Sequence, residues 1–184
     1  MRAFVDLGSH FGAIIKKFMA SKLYTSDCKV YAFEPNPRIT PEHLSLYPEG
    51  VSISTSAAWI SDGTLDFYIN DDPRRQGSSV CKEKTTGFLN KESPVTVKCF
   101  DFSEWMNREF REGDEVIVKM NVEGAEYKLI PRMIQDGSIN FISRLYLRRH
   151  WHKIGLPESV DNLMLDSLRM VDGLQVFNDY NFQA

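Results

Sequence analysis

Apolar positions along the chain follow two alternating rhythms. Short apolar runs at 4–7, 30–33, 51–59, 116–120 and 141–147 predict buried or half-buried strands. Between the first two, Ile14, Ile15, Phe18, Met19 and Leu23 recur at helical spacing with Lys16, Lys17 and Lys22 opposite, which predicts an amphipathic helix over 13–23. A short helix is expected from Thr40 as N-cap and Pro41 in the first turn, ending before Pro48. Another is expected over 103–110, carrying Trp105 and Met106 inward. Leu129, Ile130, Met133 and Ile134 give the next helix its buried face, with Pro131 expected to kink it. A last helix should open at Pro157 and run to about Val171, with Val160, Leu163, Met164 and Leu168 inside and a strand over 174–180 after it. Strand and helix alternate, the pattern of an α/β fold with a mostly parallel central sheet flanked by helices. The rhythm breaks once, where 64–69 and 95–100 alternate as strands around a long polar segment, so an inserted β-hairpin and loop region around 64–100 is expected. No linker or internal repeat divides residues 1–184, which read as a single domain.

The first strand carries candidate chemistry at its end. Phe4-Val-Asp-Leu-Gly-Ser-His-Phe-Gly12 reads as strand, glycine turn and helix start, the opening of a nucleotide-binding unit. Gly8 allows a sharp exit from the strand, and Gly12 lets the helix pack closely with its N-terminal N–H groups aimed at a ligand. A dinucleotide site wants a glycine where His10 stands, and the Gly-Lys-Ser/Thr of a phosphate-binding Walker loop is absent. Asp6 would repel a phosphate but suits a ligand with an ammonium group. S-adenosylmethionine (SAM) has one, together with a ribose and an adenine and no phosphate. Taken alone, the loop also fits a glycine turn of some other α/β protein. A second strand-end acid narrows the choice: Glu34, in Glu34-Pro35-Asn36-Pro37, lies roughly 20 residues past the loop, where an acid can hydrogen-bond both ribose hydroxyls.

At this point the sequence resembles the FkbM-type SAM-dependent methyltransferases. The matching pieces are Asp6-Leu-Gly-Ser-His-Phe-Gly12, Tyr31-Ala-Phe-Glu-Pro-Asn-Pro37, Ala57-Ala-Trp-Ile-Ser-Asp-Gly63, Gly77-Ser-Ser79 and Lys119-Met-Asn-Val-Glu-Gly-Ala-Glu126. They occur in the family's order and cover most of the chain from Phe4 to about Trp151. The resemblance implies a Rossmann-like class I methyltransferase fold. It implies SAM contacts from Asp6, Gly8, Ser9, His10, Gly12, Glu34, Pro35 and Asn121, with Ser56, Ala57 and Ala58 flanking the adenine. It implies an excursion over the active site, with Ser79 against the substrate. Class I enzymes usually finish with an antiparallel hairpin, whereas one strand follows the last helix here, so a shortened C-terminus is expected.

Methyl transfer from a sulfonium is an in-line displacement, in which holding a nucleophile in place supplies much of the rate and a base helps a hydroxyl lose its proton. Glu123, Glu126, Asn121 and His150 are the catalytic candidates. The two glutamates also fit plain helix N-terminal acids. Asn121 stands where the family usually has aspartate and cannot act as a base. Arg148 and Arg149 beside Trp151 suit an anionic group on the substrate, or salt bridges within the fold. His150 and His152 lack a nearby acid or cysteine in sequence, so no metal site is expected.

Composition adds only bounds. A formal charge of -3 gives no global reason to expect nucleic acid or a membrane. Cys28, Cys81 and Cys99 are odd in number and widely spaced, which suits reduced thiols in a cytoplasm. No apolar run reaches the ~18 to 20 residues of a membrane span, and no secretory signal is evident. The expected activity is O-methylation of a hydroxyl on a small-molecule, sugar, glycan or natural-product acceptor. The alternatives are a SAM-binding module without transfer activity and a nucleotide or RNA ribose methyltransferase, the latter supported only by the cluster at 148–153.

Overall fold

The computed structural model describes residues 1–39, 43, 45–71 and 76–182; Thr40, Pro41 and Glu42, the expected start of a short helix, lie outside them. The elements in chain order are β1 (Arg2–Leu7), α1 (Ala13–Met19), β2 (Lys29–Phe33), β3 (Val51–Ser54), β4 (Ala57–Trp59), β5 (Gly63–Phe67), β6 (Val95–Asp101), α2 (Phe102–Glu109), β7 (Glu115–Met120), α3 (Glu126–Asp136), β8 (Ile142–Leu147), α4 (Glu158–Arg169) and β9 (Gln175–Phe177). Six strands form a parallel sheet in the order β3-β2-β1-β7-β8-β9. The chain steps outward from β1 to β3 and then returns to β7 on the other side of β1. The carboxyl ends of β1 and β7 therefore flank a topological switch point, where open α/β sheets bind ligands.

Strand periodicity assigns the two faces of this sheet. Ala3, Val5, Leu7, Val116, Val118 and Met120 pack with α2, α3 and α4, while Phe4, Ile117 and Tyr146 pack with Ile15 and Phe18 of α1 and with Phe182 of the tail. Phe4 stacks on Phe18 with ring centroids 4.0 Å apart. Burial on both faces explains the near-continuous apolar runs. The Asp101 carboxylate caps α2 by accepting the Glu104 N–H at 3.0 Å, and this helix buries Trp105 against Tyr31 and Phe33.

Several boundaries differ from the expectation. The helix α1 stops at Met19 because the Ser21 N–H and hydroxyl both bond the Phe18 carbonyl, and the Leu23 N–H turns to the Ser21 hydroxyl. The run 51–59 divides: β3 joins the main sheet, while β4 pairs parallel with β6 in a second sheet of order β4-β6-β5. There β5 and β6 form the antiparallel pair expected of the inserted region, and isolated bridges Tyr68 to Ser79 and Asn70 to Leu89 organise the excursion between them. The helix α3 continues through Pro131 to Asp136. Pro157 is the N-cap of α4, and Val160 and Leu163 are exposed rather than inside. The buried stripe of α4 runs instead through Asp161, Met164 and Leu168, because Asp161 is drawn in by Tyr127 and Arg149. The last strand is only Gln175–Phe177, parallel to β8, and the tail beyond it folds back onto the sheet.

Candidate functional site

Two glycines shape the loop after β1. Gly8 has φ +74, and a Cβ there would overlap the carbonyl oxygen of Asn121, so only glycine lets the loop cross the end of β7. The Gly8 and Ser9 N–H groups both bond the Phe33 carbonyl at 2.9 and 3.2 Å, which ties the loop to β2. Gly12 has φ +73 and faces the Tyr47 ring, and its N–H bonds the Ser9 carbonyl at 2.9 Å. The Tyr47 hydroxyl donates to the His10 carbonyl at 2.6 Å and shares a hydrogen bond with Ser9 Oγ at 2.7 Å.

A cavity of about 330 Å³ opens under this loop, within the usual size range of small-molecule sites. Among the expected residues, Gly8, Ser9, His10, Glu34, Pro35, Ala57, Ala58, Asn121 and Glu123 line it. Phe33, Phe67 and Val80 add apolar wall. Glu34 is nearly buried; its Oε2 accepts the His10 N–H at 2.8 Å and its Oε1 the Asn36 N–H at 3.0 Å. Burial raises its carboxyl above the ordinary value, more than the two N–H groups and the Lys119 charge lower it. Each oxygen keeps a lone pair for a further donor. Asn121 Oδ1 is buried and accepts no hydrogen bond from the described residues.

Asp6 is placed differently from the expectation. It is fully buried and does not line the cavity, because β1 and β7 pair it in register with Lys119. Asp6 Oδ1 lies 2.7 Å from Lys119 Nζ in an ion pair not aligned as a hydrogen bond, and the same ammonium donates to the carbonyls of Leu7 (3.2 Å) and Gly8 (2.7 Å). Desolvation raises the Asp6 carboxyl, and Lys119 opposes that shift. Asp6 and Lys119 thus brace the glycine loop from below, and Asp6 offers no free face to a ligand ammonium.

The other acids form a second cluster. Glu126 is fully buried: its Oε1 accepts the His150 backbone N–H (2.7 Å) and lies 2.9 Å from the His150 ring Nδ1, while its Oε2 accepts the Gly124 N–H (2.9 Å). His150 Nε2 lies 3.4 Å from Glu123 Oε1. Glu123 Oε2 meets Lys84 Nζ at 3.0 Å and Lys153 Nζ at 3.1 Å. Burial works against the Glu123 charge, but His150, Lys84 and Lys153 outweigh it and hold this carboxyl well below the usual range. For His150, burial favours the neutral ring, yet the two carboxylates win and raise its pKa. Each carboxylate takes one nitrogen of His150, so the three groups do not converge on a point that would hold a metal ion. Glu126 and His150 therefore stand behind the cavity wall and fix Glu123, which lines it.

His10 and Glu123 have φ near +50°, unusual for residues with a Cβ, and both line the cavity. Such backbone persists only where surroundings over-determine it. Glu34 and Tyr47 hold the N–H and carbonyl of His10, and the Ser79 hydroxyl donates to the Glu123 carbonyl at 2.7 Å. Ser79 is thus a buried brace of the loop rather than a cavity residue, and Ser56 likewise lies outside the cavity, on the turn between β3 and β4.

The two arginines separate. Arg149 forms an ion pair with the buried Asp161 of α4, whereas Arg148 lies over the Tyr180 ring, 5.6 Å from its centroid. Sequence reasoning missed Lys119, Lys84 and Tyr180. The signal for Lys119 is a lysine set in a buried parallel strand beside a strand carrying an equally isolated acid. Lys84, almost fully buried, sits in the polar excursion and carries no such signal.

The description methyltransferase FkbM domain is that of the family model matching this chain, over residues 6–166. No curated protein and no solved structure matches. Among the described residues no helix is long and apolar enough to cross a membrane. The parallel six-stranded sheet, the glycine loop at its switch point and a family match over most of the chain agree, and the protein belongs to the FkbM methyltransferase family.

Proposed function

We propose that the protein is a SAM-dependent O-methyltransferase acting on a hydroxyl of a sugar, glycan or other natural product. The observation that carries this reading is the cavity at the switch point, with the Glu34 carboxylate at the end of β2 and an apolar wall of Ala57, Ala58, Phe67 and Val80. These residues fit SAM. Glu34 has lone pairs left for ribose hydroxyls, the apolar wall suits an adenine, and Asn121 Oδ1 is an unused acceptor suited to an ammonium. When bound, SAM supplies a methyl group on a sulfonium.

Glu123 is the residue placed to orient the acceptor. Fixed by Lys84, Lys153 and His150, it stays ionised and can accept a hydrogen bond from an acceptor hydroxyl. With its carboxyl held so low it is a poor proton acceptor, so positioning is its contribution. A second reading, a SAM-binding module without transfer, is favoured by the same engagement of Glu123 together with the amide at Asn121. Arg149 is committed to Asp161, which removes half of the basic pair that motivated a nucleic-acid acceptor. A reducing cytoplasm suits the three unpaired cysteines.

The test is transfer of a labelled methyl group from SAM to a panel of hydroxylated, amine and RNA acceptors. Labelled ether product on a hydroxylated small molecule or glycan is expected. SAM binding without transfer to any acceptor supports the module, and transfer only to amines or RNA overturns the acceptor class.

A further inference from the structure

We propose that Tyr180 and Arg148, outside and inside the family-matched range respectively, together hold the carboxylate of the amino-acid half of the methyl donor; this rests on the SAM reading above. Tyr180 lines the cavity, and its buried hydroxyl faces the Arg148 guanidinium, itself only a donor, so the phenol proton has no acceptor among the described residues. A buried donor left unmade is costly, and a bound acceptor would complete it. The surroundings specify the charge of that acceptor. Lys119 Nζ lies 5.7 Å from the Tyr180 ring centroid and the Arg148 guanidinium 5.6 Å. Lys119 is neutralised by Asp6, but among the described residues Arg148 has no acidic partner, which leaves one positive charge beside the orphaned hydroxyl. A phenol donor next to an uncompensated guanidinium suits a carboxylate.

Sheet order gives the polarity of the ligand. Glu34 ends β2, on one side of β1, and Ala57 and Ala58 start β4 of the second sheet, which the chain enters through a short turn from β3, the neighbour of β2. Lys119 and Arg148 belong to β7 and to the segment after β8, on the opposite side of β1. A donor with its ribose at Glu34 and its adenine toward Ala57 sends its amino-acid half across the glycine loop to Tyr180. Burial pushes the Tyr180 phenol above its ordinary value, so it stays protonated and able to donate.

Calorimetry on the full chain with two ligands, S-adenosylhomocysteine and 5′-methylthioadenosine, tests this, because the second lacks the amino-acid half. Tyr180→Phe should lose about tenfold or more in affinity for S-adenosylhomocysteine, the range of a hydrogen bond to a charged group, and none for 5′-methylthioadenosine. Arg148→Ala should show the same selectivity. Tyr146→Phe removes another buried hydroxyl that does not line the cavity, and it should change neither affinity. Unchanged binding of S-adenosylhomocysteine to Tyr180→Phe, or equal loss for both ligands, overturns the proposal and leaves the donor reading standing. Failure of the unmodified protein to bind either ligand overturns the donor reading, and this inference with it.

Discussion

Asp6 and Glu123 both stand near the carboxyl edge of the sheet in family-matching stretches, yet their surroundings differ in kind. Asp6 is sealed in the sheet against a single ammonium, and desolvation raises its carboxyl. Glu123 lies on the cavity wall among Lys84, Lys153 and His150, and its carboxyl is driven down. An acid at a motif position is therefore assigned a role by the number and placement of its cations, not by the motif. The sealed pair fixes the shape of the loop, and the open cluster presents charge to the cavity.

Lys119→Met should cost about 3 to 5 kcal/mol in urea unfolding, because it leaves a buried carboxylate uncompensated and frees the Leu7 and Gly8 carbonyls. Adding Asp6→Asn should restore part of that loss. A cost under about 1 kcal/mol would mean that the pair does not brace the loop.

The open cluster should show itself through pH, with an effect of about 1 to 3 kcal/mol, the range for hydrogen bonds to buried charged groups. Glu123 has a depressed folded pKa, so its stabilisation is present above the unfolded value of about 4.3 and is lost as pH falls through the folded one. His150 has a raised folded pKa, so its stabilisation is complete below the unfolded value of about 6.5 and is lost as pH rises through the folded one. Thermal unfolding of Glu123→Gln should therefore approach wild type only in acid, and His150→Gln should approach it only on the alkaline side. Parallel curves at all pH values would contradict the charge assignment.

A smaller contrast separates the two arginines. Arg149→Ala should lose about 1 kcal/mol or more, since Asp161 is buried and among the described residues keeps only the Tyr127 hydroxyl. Arg148→Ala should stay within about 0.5 kcal/mol of wild type, because Arg148 is exposed and paired with no acid among the described residues. Equal losses would remove the distinction between an arginine committed to a buried acid and one that is not.

The sheet and the glycine loop were legible because they rest on local rules: apolar period, glycine at a strand end, and acids at a fixed spacing. The division of 51–59 was not, since no glycine or proline marks it and a turn at Thr55 and Ser56 redirects the chain. Nor was the role of Asp6, which depends on strand register with a residue far along the chain. The exposed Val160 and Leu163 misled the periodicity because an aspartate, Asp161, occupies the buried stripe they seemed to define. Tyr180 was beyond reach for a different reason, since a tail that folds back after a three-residue strand follows no period.

If the cavity holds an adenosyl ligand by its ribose at Glu34, the affinity of Glu34→Ala for S-adenosylhomocysteine must report it. Calorimetry should show binding by the wild type and a loss of about 1 to 3 kcal/mol in the variant, the range for hydrogen bonds to a charged group. NAD should bind more weakly than S-adenosylhomocysteine. A folded Glu34→Ala protein that binds S-adenosylhomocysteine as tightly as wild type, or a wild type that prefers NAD, would contradict the account.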